Sequence, residues 1–474
     1  MALDAYPEAK HLMERVIAAE QSRMARWGRA QQAYYGQLPP ALLPKPNKPN
    51  DNVAVNYGRL FVDKGVSFLF GKDIAFELDE SKQTDEETYL DLQWKRNKKM
   101  RLLHDLGVNG GIFGHPFVQM QLRPTPINGK EQVRLIALDP MEVTVRWNPN
   151  DIDDVLWFHI RGDGISKDNK PIELRQRIER NEATGGWVTI EEEREKAQNS
   201  GEEKEWIEVK RTEWPYPFPP IAHCQNLPAP NEFWGMADLE DDVVDLIKAI
   251  NFVLSNLRKI IRYHGHPKTI GTGFTQQQVK IDTDEMLILP NPDAQLFNLE
   301  MSGDLGASLS FFQTLKEALF TESRMPEIAL GSMQGVGALS GVALEILYQP
   351  LLDKTETKRL LYGELLRELC ARMLVIGGFR QTVEDVDVTI TWPEILPRDM
   401  LQERQMLQID RDMGLVSKDT VASKLGYSYE TEKKKREQEQ SDETPPQLQQ
   451  PVPPTAPTQP PQNQQEQTAD ANAS

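Results

Sequence analysis

The stretch DLEDDVVDLIKAINFVLSNLRKIIRY, residues 238–263, carries the strongest structural signal in the chain. Apolar residues recur in it every three or four positions, which predicts an amphipathic helix about 39 Å long at 1.5 Å per residue. These residues are Leu239, Val243, Leu246, Ile250, Leu254, Leu257 and Ile261. Acidic residues from Asp238 lie at its start and basic residues from Arg258 at its end, which complements the helix dipole. We therefore expect one long helix with a buried stripe along its whole length.

The segments that follow this helix alternate between helix and loop. Residues 264–304 are predicted to form a short insert with strand-like pieces, and residues 305–324 a second helix. The next segment, LGSMQGVGALSG at residues 330–341, is rich in glycine and has no charge, so we expect a loop. A further helix is predicted over residues 342–376, with a kink at Pro350 because proline removes a backbone hydrogen bond there.

The N-terminal half combines helical and strand-like patterns. Helical spacing predicts helices over residues 7–35, 56–69 and 85–109. From Gly110 to about Trp234 the period changes toward two, which is typical of β-strands. Within this β-rich region, residues 191–208 are highly charged and predict an exposed hairpin tip or mobile loop. The pattern as a whole predicts an α+β fold.

The C-terminal part contains a strand, a helix and a low-complexity tail. Residues 385–392 alternate as a half-buried strand, and residues 398–440 return to a helical pattern. Residues 441–474 are rich in Pro, Gln, Thr and Ala and have almost no apolar side chains. Such a segment cannot bury enough surface to fold, so we expect it to be disordered.

Composition and charge exclude several classes of protein. The chain has 474 residues, 54 Lys and Arg against 72 Asp and Glu, and a formal charge of −18. This acidity disfavours tight DNA binding by the bulk surface, because such binding needs a basic footprint. No window resembles a signal peptide or a membrane span, so we expect a protein of a cytosol-like space. Cys224 and Cys370 are the two cysteines, which excludes a disulfide scaffold or a cysteine zinc site.

Candidate catalytic motifs are weak throughout the sequence. The glycine-rich segment has no lysine at the position that a Walker A loop needs, so nucleotide binding is not expected there. His264 and His266 have no obvious third ligand and are better interpreted as surface or helix-end residues. Acidic pairs such as Asp153 with Asp154, Asp241 with Asp242, and Asp282 with Asp284 are common by chance in an acidic chain. We therefore expect no catalytic residues, no metal and no cofactor.

Four stretches, in their order, carry a resemblance to a known family. They are YYG at 34–36, NYGRLFVDKGVSFLFGKDI at 56–74, FWGMADL at 233–239 with INFVLSN at 250–256, and LSGVAL at 339–344 continuing to LLDK at 351–354. Together they resemble the phage portal proteins of the SPP1 type, over roughly residues 30–440. One departure is Glu345, where the family often has lysine, so the sign of charge on the channel wall stays open.

The resemblance implies a portal-type subunit with named parts. They are a wing with N-terminal helices and a β-rich layer at 1–237, a stem helix at 238–263, a clip at 264–304, a second stem helix at 305–324, a tunnel loop region at 325–341, a kinked tunnel helix at 342–376, a return strand to the wing at 377–397, a helical crown at 398–440 and a disordered tail at 441–474. Each of these parts agrees with the pattern of its own segment.

Two sets of site residues follow from the same resemblance. The loop that faces DNA in the channel would contain Ser332, Met333, Gln334, Val336, Ala338, Leu339 and Ser340. The clip would bind partner proteins through Thr275, Gln276, Gln277, Gln278, Lys280 and Asp282. Small uncharged loop residues would touch DNA without reading its bases.

The resemblance also implies partners and a place of action. The chain would form a ring with itself, twelve-fold in the virion, at one capsid vertex, after assembly in the host cytoplasm. Double-stranded DNA would pass through the ring, and terminase, a head completion or adaptor protein, and the major capsid and scaffolding proteins would bind it. Two alternatives stay open: a scaffold or adaptor ring without a DNA-sized bore, and, as the weaker one, a metal-dependent DNA-processing enzyme.

Overall fold

The computed structural model describes most of the chain in two compact units, residues 1–397 and 398–474. The described residues are 7–37, 39, 42, 52–78, 84–127, 129–181, 184–196, 204–265, 268–272, 293, 295–299, 305–331, 341–396, 400–426, 428–429 and 431–436. Helices and strands are both abundant among them, which confirms the predicted α+β class. The expected disorder of residues 441–474 falls outside this part of the chain.

Most helices were anticipated by the apolar spacing. Their bounds are α1 Pro7–Tyr34, α2 Tyr57–Phe70, α3 Asp85–Arg96, α4 Lys99–Phe113, α5 Asp241–Gly265, α6 Leu305–Glu322, α7 Gly341–Ile376, α8 Met400–Asp412 and α9 Lys418–Lys424. Local signals set several starts: Asn56 accepts a hydrogen bond from the Arg59 amide at the start of α2, and Thr84 with Glu87 forms a capping box at α3.

The strands range from three to fifteen residues and pair in antiparallel fashion. They are β1 Ala75–Glu77, β2 Phe117–Ile127, β3 Lys130–Leu138, β4 Val143–Asn148, β5 Asp151–Ile165, β6 Pro171–Arg180, β7 Trp187–Glu195, β8 Ile207–Trp214, β9 Ile221–His223, β10 Lys268–Thr272, β11 Gln295–Leu299 and β12 Thr389–Thr391. Strands β4 to β8 form a five-stranded sheet in chain order. A second sheet has the order β3-β2-β9, and the pairs β1-β12 and β10-β11 stand separately.

Two hydrophobic cores stabilise the first unit. One lies between the sheets and helices α3, α4 and α7, and the residues at its centre include Leu103, Phe117, Phe158, Tyr362 and Leu369. The other joins α1, α2, α6 and the start of α5, around Trp27, Phe61, Val62, Val243 and Leu319. Helix α7 enters the first core with apolar residues on several sides, which explains why its C-terminal half is buried.

Helix α5 differs from the prediction in its burial. It begins at Asp241, and its N-terminal half is buried through residues that include Val244 and Ile247. The predicted stripe does not continue to the end, because Ile261 is 60% exposed within the isolated chain. Asp238 is also not an exposed helix-start residue: it is buried and paired with lysines. The burial of the predicted stripe therefore declines along the helix, from buried at Val243 and Ile250 to half-buried at Leu257 and exposed at Ile261.

The charged segment at 191–208 was expected to be an exposed tip or loop. Its described ends instead form the arms of the β7–β8 hairpin, with Glu191 opposite Lys210. Glu192 is only 9% exposed because the Arg175 side chain pairs with it across the sheet at 2.6 Å. Opposite charges on neighbouring strands thus replace apolar contacts there.

The C-terminal predictions hold in part. Residues 385–392 keep the predicted alternation of exposed and inward side chains, but only Thr389–Thr391 is a strand, which pairs with β1. The predicted helix over 398–440 is interrupted between α8 and α9, where Gly414 has a positive φ of 74°. A backbone in that conformation ends a helix. Helix α7 continues through Pro350 as one helix, and the kink predicted there stays a prediction.

Candidate functional site

Three buried ionic side chains meet where α5, α6 and α7 come together. The Asp238 carboxylate, just before α5, lies 2.9 Å from the Lys354 Nζ and 2.6 Å from the Lys358 Nζ. Both lysines belong to α7 and are one helical turn apart, so they face the same side. Lys354 Nζ also donates to the Ser323 carbonyl beyond the end of α6, at 3.2 Å. We call Asp238, Lys354 and Lys358 the ion cluster.

The ion cluster places one carboxyl group against two lysines, and burial lowers the pKa of Lys358 below its usual range. Burial alone would raise the pKa of the Asp238 carboxyl, but the charges of Lys354 and Lys358 and their hydrogen bonds outweigh it and lower the pKa. The Asp238 amide also donates to the Gly111 carbonyl at 2.8 Å. The cluster thus fixes the segment before α5 against α4 and α7. Sequence reasoning missed it because three charged residues in helical patterns do not indicate burial.

The glycine-rich segment is held at its N-terminal end. On one side, residues Glu327–Leu330 form a 3-10 turn that Gly331 ends with a positive φ of 89°. The Tyr348 hydroxyl of α7 donates to the Ile328 carbonyl at 3.3 Å. Lys316 of α6 pairs with Glu327 at 3.1 Å. On the other side, α7 begins at Gly341, but Ile346 and Leu347 in its first turns are exposed and burial begins only at Leu351.

The predicted site residues themselves are not among those described. Ser332, Met333, Gln334, Val336, Ala338, Leu339 and Ser340 lie outside the described residues, as do Thr275, Gln276, Gln277, Gln278, Lys280 and Asp282. What the structure adds is the base of the insert, where β10 and β11 pair from Lys268 with Leu299 to Thr272 with Gln295. The strand-like pieces predicted within 279–289 also lie outside this part of the chain.

Two histidines in contact lie near the C-terminal end of α4, where His115 is buried and His223 is half-buried. The Nε2 of His115 and the Nδ1 of His223 are 3.0 Å apart, and the Gly235 amide donates to His115 Nδ1 at 3.4 Å. His115 Nε2 therefore carries the proton and donates to His223. Burial lowers the pKa of His223 to about 3, with a further contribution from Arg372, and burial also lowers the pKa of His115. Both rings are neutral at pH 7.

The thiols do not form a reactive site. Cys370 is fully buried and accepts a hydrogen bond from Trp94 Nε1 at 3.4 Å, and burial raises its pKa to about 12. Cys224 is half-buried, and burial raises its pKa as well.

Within the described part of the chain, no group of three or more His, Cys, Asp or Glu could hold a metal ion. A search of the same residues for a helix long and apolar enough to cross a membrane gave none.

Comparison with known proteins identifies the family. The family model for the phage portal protein, SPP1 Gp6-like, matches residues 14–446. A search of curated proteins finds no match. The match spans the ion cluster, the glycine-rich segment and the insert between α5 and α6, and it confirms the resemblance carried by the four sequence stretches. The chain belongs to the SPP1 Gp6-like family of phage portal proteins.

Proposed function

We propose that this portal protein forms a ring, with twelve copies in the virion, at one capsid vertex, and that double-stranded DNA is packaged and ejected through its axis. The arrangement around the glycine-rich segment supports this function best: α5 packs against α6, and α7 receives the segment directly. A loop that connects the turn after α6 to the start of α7 can present small uncharged side chains to a moving polymer. It can do so without anchoring that polymer.

The parts of the subunit follow from that role. We propose residues 1–237 as the wing, 238–263 and 305–324 as the stem helices, 264–304 as the clip, and 325–341 as the tunnel loop region. Residues 342–376 would be the tunnel helix, 377–397 the return to the wing, 398–440 the crown and 441–474 a disordered tail. The α5–α6 packing and the β10–β11 base of the insert support the stem and clip proposals.

The tunnel loop would touch DNA through Ser332, Met333, Gln334, Val336, Ala338, Leu339 and Ser340. These side chains are uncharged, so their contacts with phosphates are weak and break easily. Deletion of residues 335–339 should leave ring assembly intact, because the elements on both sides of the loop are retained, and should impair DNA packaging or retention. Unchanged packaging with intact rings would contradict this role.

The clip would dock terminase during filling and a head completion or adaptor protein afterwards, through Thr275, Gln276, Gln277, Gln278, Lys280 and Asp282. Shortening residues 276–284 leaves β10 and β11 in place. We expect that variant to form rings that no longer bind the adaptor protein in a pull-down. Adaptor binding at the original level would contradict the clip proposal but would not affect the ring proposal. Major capsid and scaffolding proteins complete the expected partners.

The first experiment is native mass spectrometry of the purified protein with negative-stain images of the same sample. Closed rings of about twelve subunits with a central hole support the portal function. Closed rings without a DNA-sized hole would favour the alternative of a scaffold or adaptor ring. A compact dimer with magnesium-dependent nuclease activity would favour the third alternative, a DNA-processing enzyme.

A further inference from the structure

The turn between α3 and α4 is a basic patch on an acidic protein. Within seven positions it contains Lys95, Arg96, Lys98, Lys99 and Arg101, and no acidic residue. We call these five residues the basic turn. Only Lys99 forms a close ion pair among the described residues, with Asp73 at 2.6 Å, whereas Arg101 is 74% exposed and lies 3.8 Å from Asp105. Lys95 and Lys98 are exposed.

The position of the basic turn concentrates its positive charge. Lys98 precedes α4 with a positive φ of 54° and forms no side-chain cap, and the first turn of α4 has no acidic residue. The positive end of the α4 dipole therefore adds to the charges of Lys98, Lys99 and Arg101, whereas Lys95 and Arg96 lie in the last turn of α3. A patch that concentrates positive charge in a chain with a formal charge of −18 attracts an anionic surface.

An acidic cavity lies at the opposite end of the same helix. It has a volume of about 460 Å³, and His115, which follows α4, lies in its wall. Asp153, Glu232 and Glu364 line it as exposed carboxylates, and none of the three has an ion pair within the described residues. Its other walls include the apolar Phe233, Leu361 and Leu365. We call this the acidic cavity.

The chemistry of the acidic cavity fits a lysine or arginine side chain. Such a side chain buries its apolar stem and keeps its charged end among carboxylates. The basic turn cannot fill the cavity of its own subunit, because α4 has fifteen residues and separates the two by about 22 Å at 1.5 Å per residue. Complementary patches at opposite ends of one element suit a head-to-tail contact, the kind of contact that closes a ring.

We propose that the basic turn of one copy docks at the acidic cavity of the next copy in the ring. This inference rests on the proposed function, because it assumes that the chain assembles with itself. The contact steers neighbouring subunits into register, since complementary patches attract at long range and like-charged patches repel. Its strength falls as salt screens the charges.

Two charge-reversed variants of the full chain test the contact. The basic-turn variant carries Lys95→Glu, Lys98→Glu and Arg101→Glu, and the cavity variant carries Asp153→Lys, Glu232→Lys and Glu364→Lys. Ring formation is measured by native mass spectrometry at 50 and 300 mM salt. At 50 mM, we expect each variant alone to need an about tenfold higher protein concentration for half assembly than the unmodified chain.

Mixing the two variants shows whether a failure to assemble comes from the lost contact between copies or from misfolding of the variants. In an equimolar mixture every reversed turn can meet a reversed cavity, so we expect alternating rings to form at the concentration that the unmodified chain needs. A control variant with Arg123→Glu, Arg161→Glu and Lys167→Glu has the same net charge as the basic-turn variant and alters three other exposed cations. It should assemble normally.

Three results would overturn the proposal. The first is normal ring assembly by either variant alone. The second is failure of the mixture to form rings although both variants unfold cooperatively on heating. The third is binding of a DNA duplex by the basic turn together with ring assembly that is unchanged by the charge reversal. In each of these cases the unmodified chain still forms rings, so the portal proposal survives. If the unmodified chain formed no rings at any concentration, that result would count against both the portal proposal and the proposed contact.

Discussion

At the level of single residues, Asp238 compensates two lysine charges in the protein interior. Asp238→Asn would leave Lys354 and Lys358 buried without a counter-charge, because both lie within 3 Å of its carboxylate. We expect the free energy of unfolding to fall by about 3–5 kcal/mol, the usual effect of breaking a buried ion pair on one side. Urea denaturation at a fixed protein concentration measures it, because ring formation couples stability to concentration.

An exposed ion pair provides the matched control for this prediction. Asp73 pairs with Lys99 at 2.6 Å, but its side chain is 71% exposed. Asp73→Asn should therefore cost less than about 1 kcal/mol. In the double variant Asp238→Asn with Lys358→Met, part of the loss should be recovered, since one buried charge is removed. Equal effects of Asp238→Asn and Asp73→Asn would show that the ion cluster is not the buried anchor inferred here.

The pair formed by His115 and His223 makes stability depend on pH. Both folded-state pKa values lie below the unfolded value, so the neutral pair stabilises the protein above about pH 6.5 and this contribution is lost as the pH falls. Each histidine then lowers the free energy of unfolding by up to about 1.4 kcal/mol for each unit that the pH falls. Melting temperatures between pH 7 and 5 should fall less steeply for His223→Gln than for the unmodified chain. His104→Gln, at an exposed histidine, should keep the original slope.

At the level of elements, helix packing depends on close backbone approaches at glycines, among them Gly110 and Gly58. A Cβ at Gly110 of α4 would lie 1.9 Å from the Tyr362 hydroxyl of α7, and one at Gly58 of α2 would lie 2.7 Å from the Ala33 carbonyl of α1. Tyr362 is fully buried and donates to Asn226 at 3.1 Å, so it cannot move aside freely. These glycines set how closely the helices of the two cores approach each other.

Gly110→Ala tests the approach of α4 to α7. Alanine favours a helix over glycine by about 1 kcal/mol, but the clash with Tyr362 should exceed that gain and give a net loss of about 1–3 kcal/mol. Gly28→Ala in α1 meets nothing within 4 Å and should stabilise by about 0.5–1 kcal/mol. Adding Tyr362→Phe to Gly110→Ala should recover part of the loss. Chemical denaturation of the unmodified chain and the three variants measures whether each substitution raises or lowers the free energy of unfolding.

The helices were predictable because their signals are local. The spacing of Leu239, Val243 and Ile250, the cap at Asn56 and the capping box at Thr84 act within a few residues, so periodicity identified α5, α2 and α3. Burial was less predictable, because it depends on the partner surface. Ile261 near the end of α5 is 60% exposed in the single chain although its place in the pattern predicts burial.

Long-range features could not be inferred from local patterns. Lys354 and Asp238 are 116 positions apart, and His115 and His223 are 108 apart, so nothing in either segment indicates the contact. The pairing of β10 with β11 was missed because both strands have only five residues and little alternation. The proposed tunnel and clip residues came only from the family resemblance, and they stay predictions.

At the level of the whole molecule, the negative charge should govern how the ring treats DNA. A chain with a formal charge of −18 repels phosphates, so an assembled ring should let a duplex pass without holding it. We expect no measurable affinity for a labelled 30-base-pair duplex at 150 mM salt in fluorescence anisotropy. Nanomolar binding with a steep salt dependence would contradict this account of DNA passage.

Glu345 gives that expectation a sharper test. It is exposed on α7, in the proposed tunnel helix, at a position where related portals often carry lysine. If it faces the channel, Glu345→Lys adds a ring of positive charge there, so duplex affinity should rise and fall again steeply with salt. Asp168→Lys changes the net charge equally at an exposed turn between β5 and β6. Because that turn belongs to the proposed wing, it should raise affinity far less. Equal gains from the two substitutions would mean that overall charge controls DNA binding and that Glu345 does not line the channel.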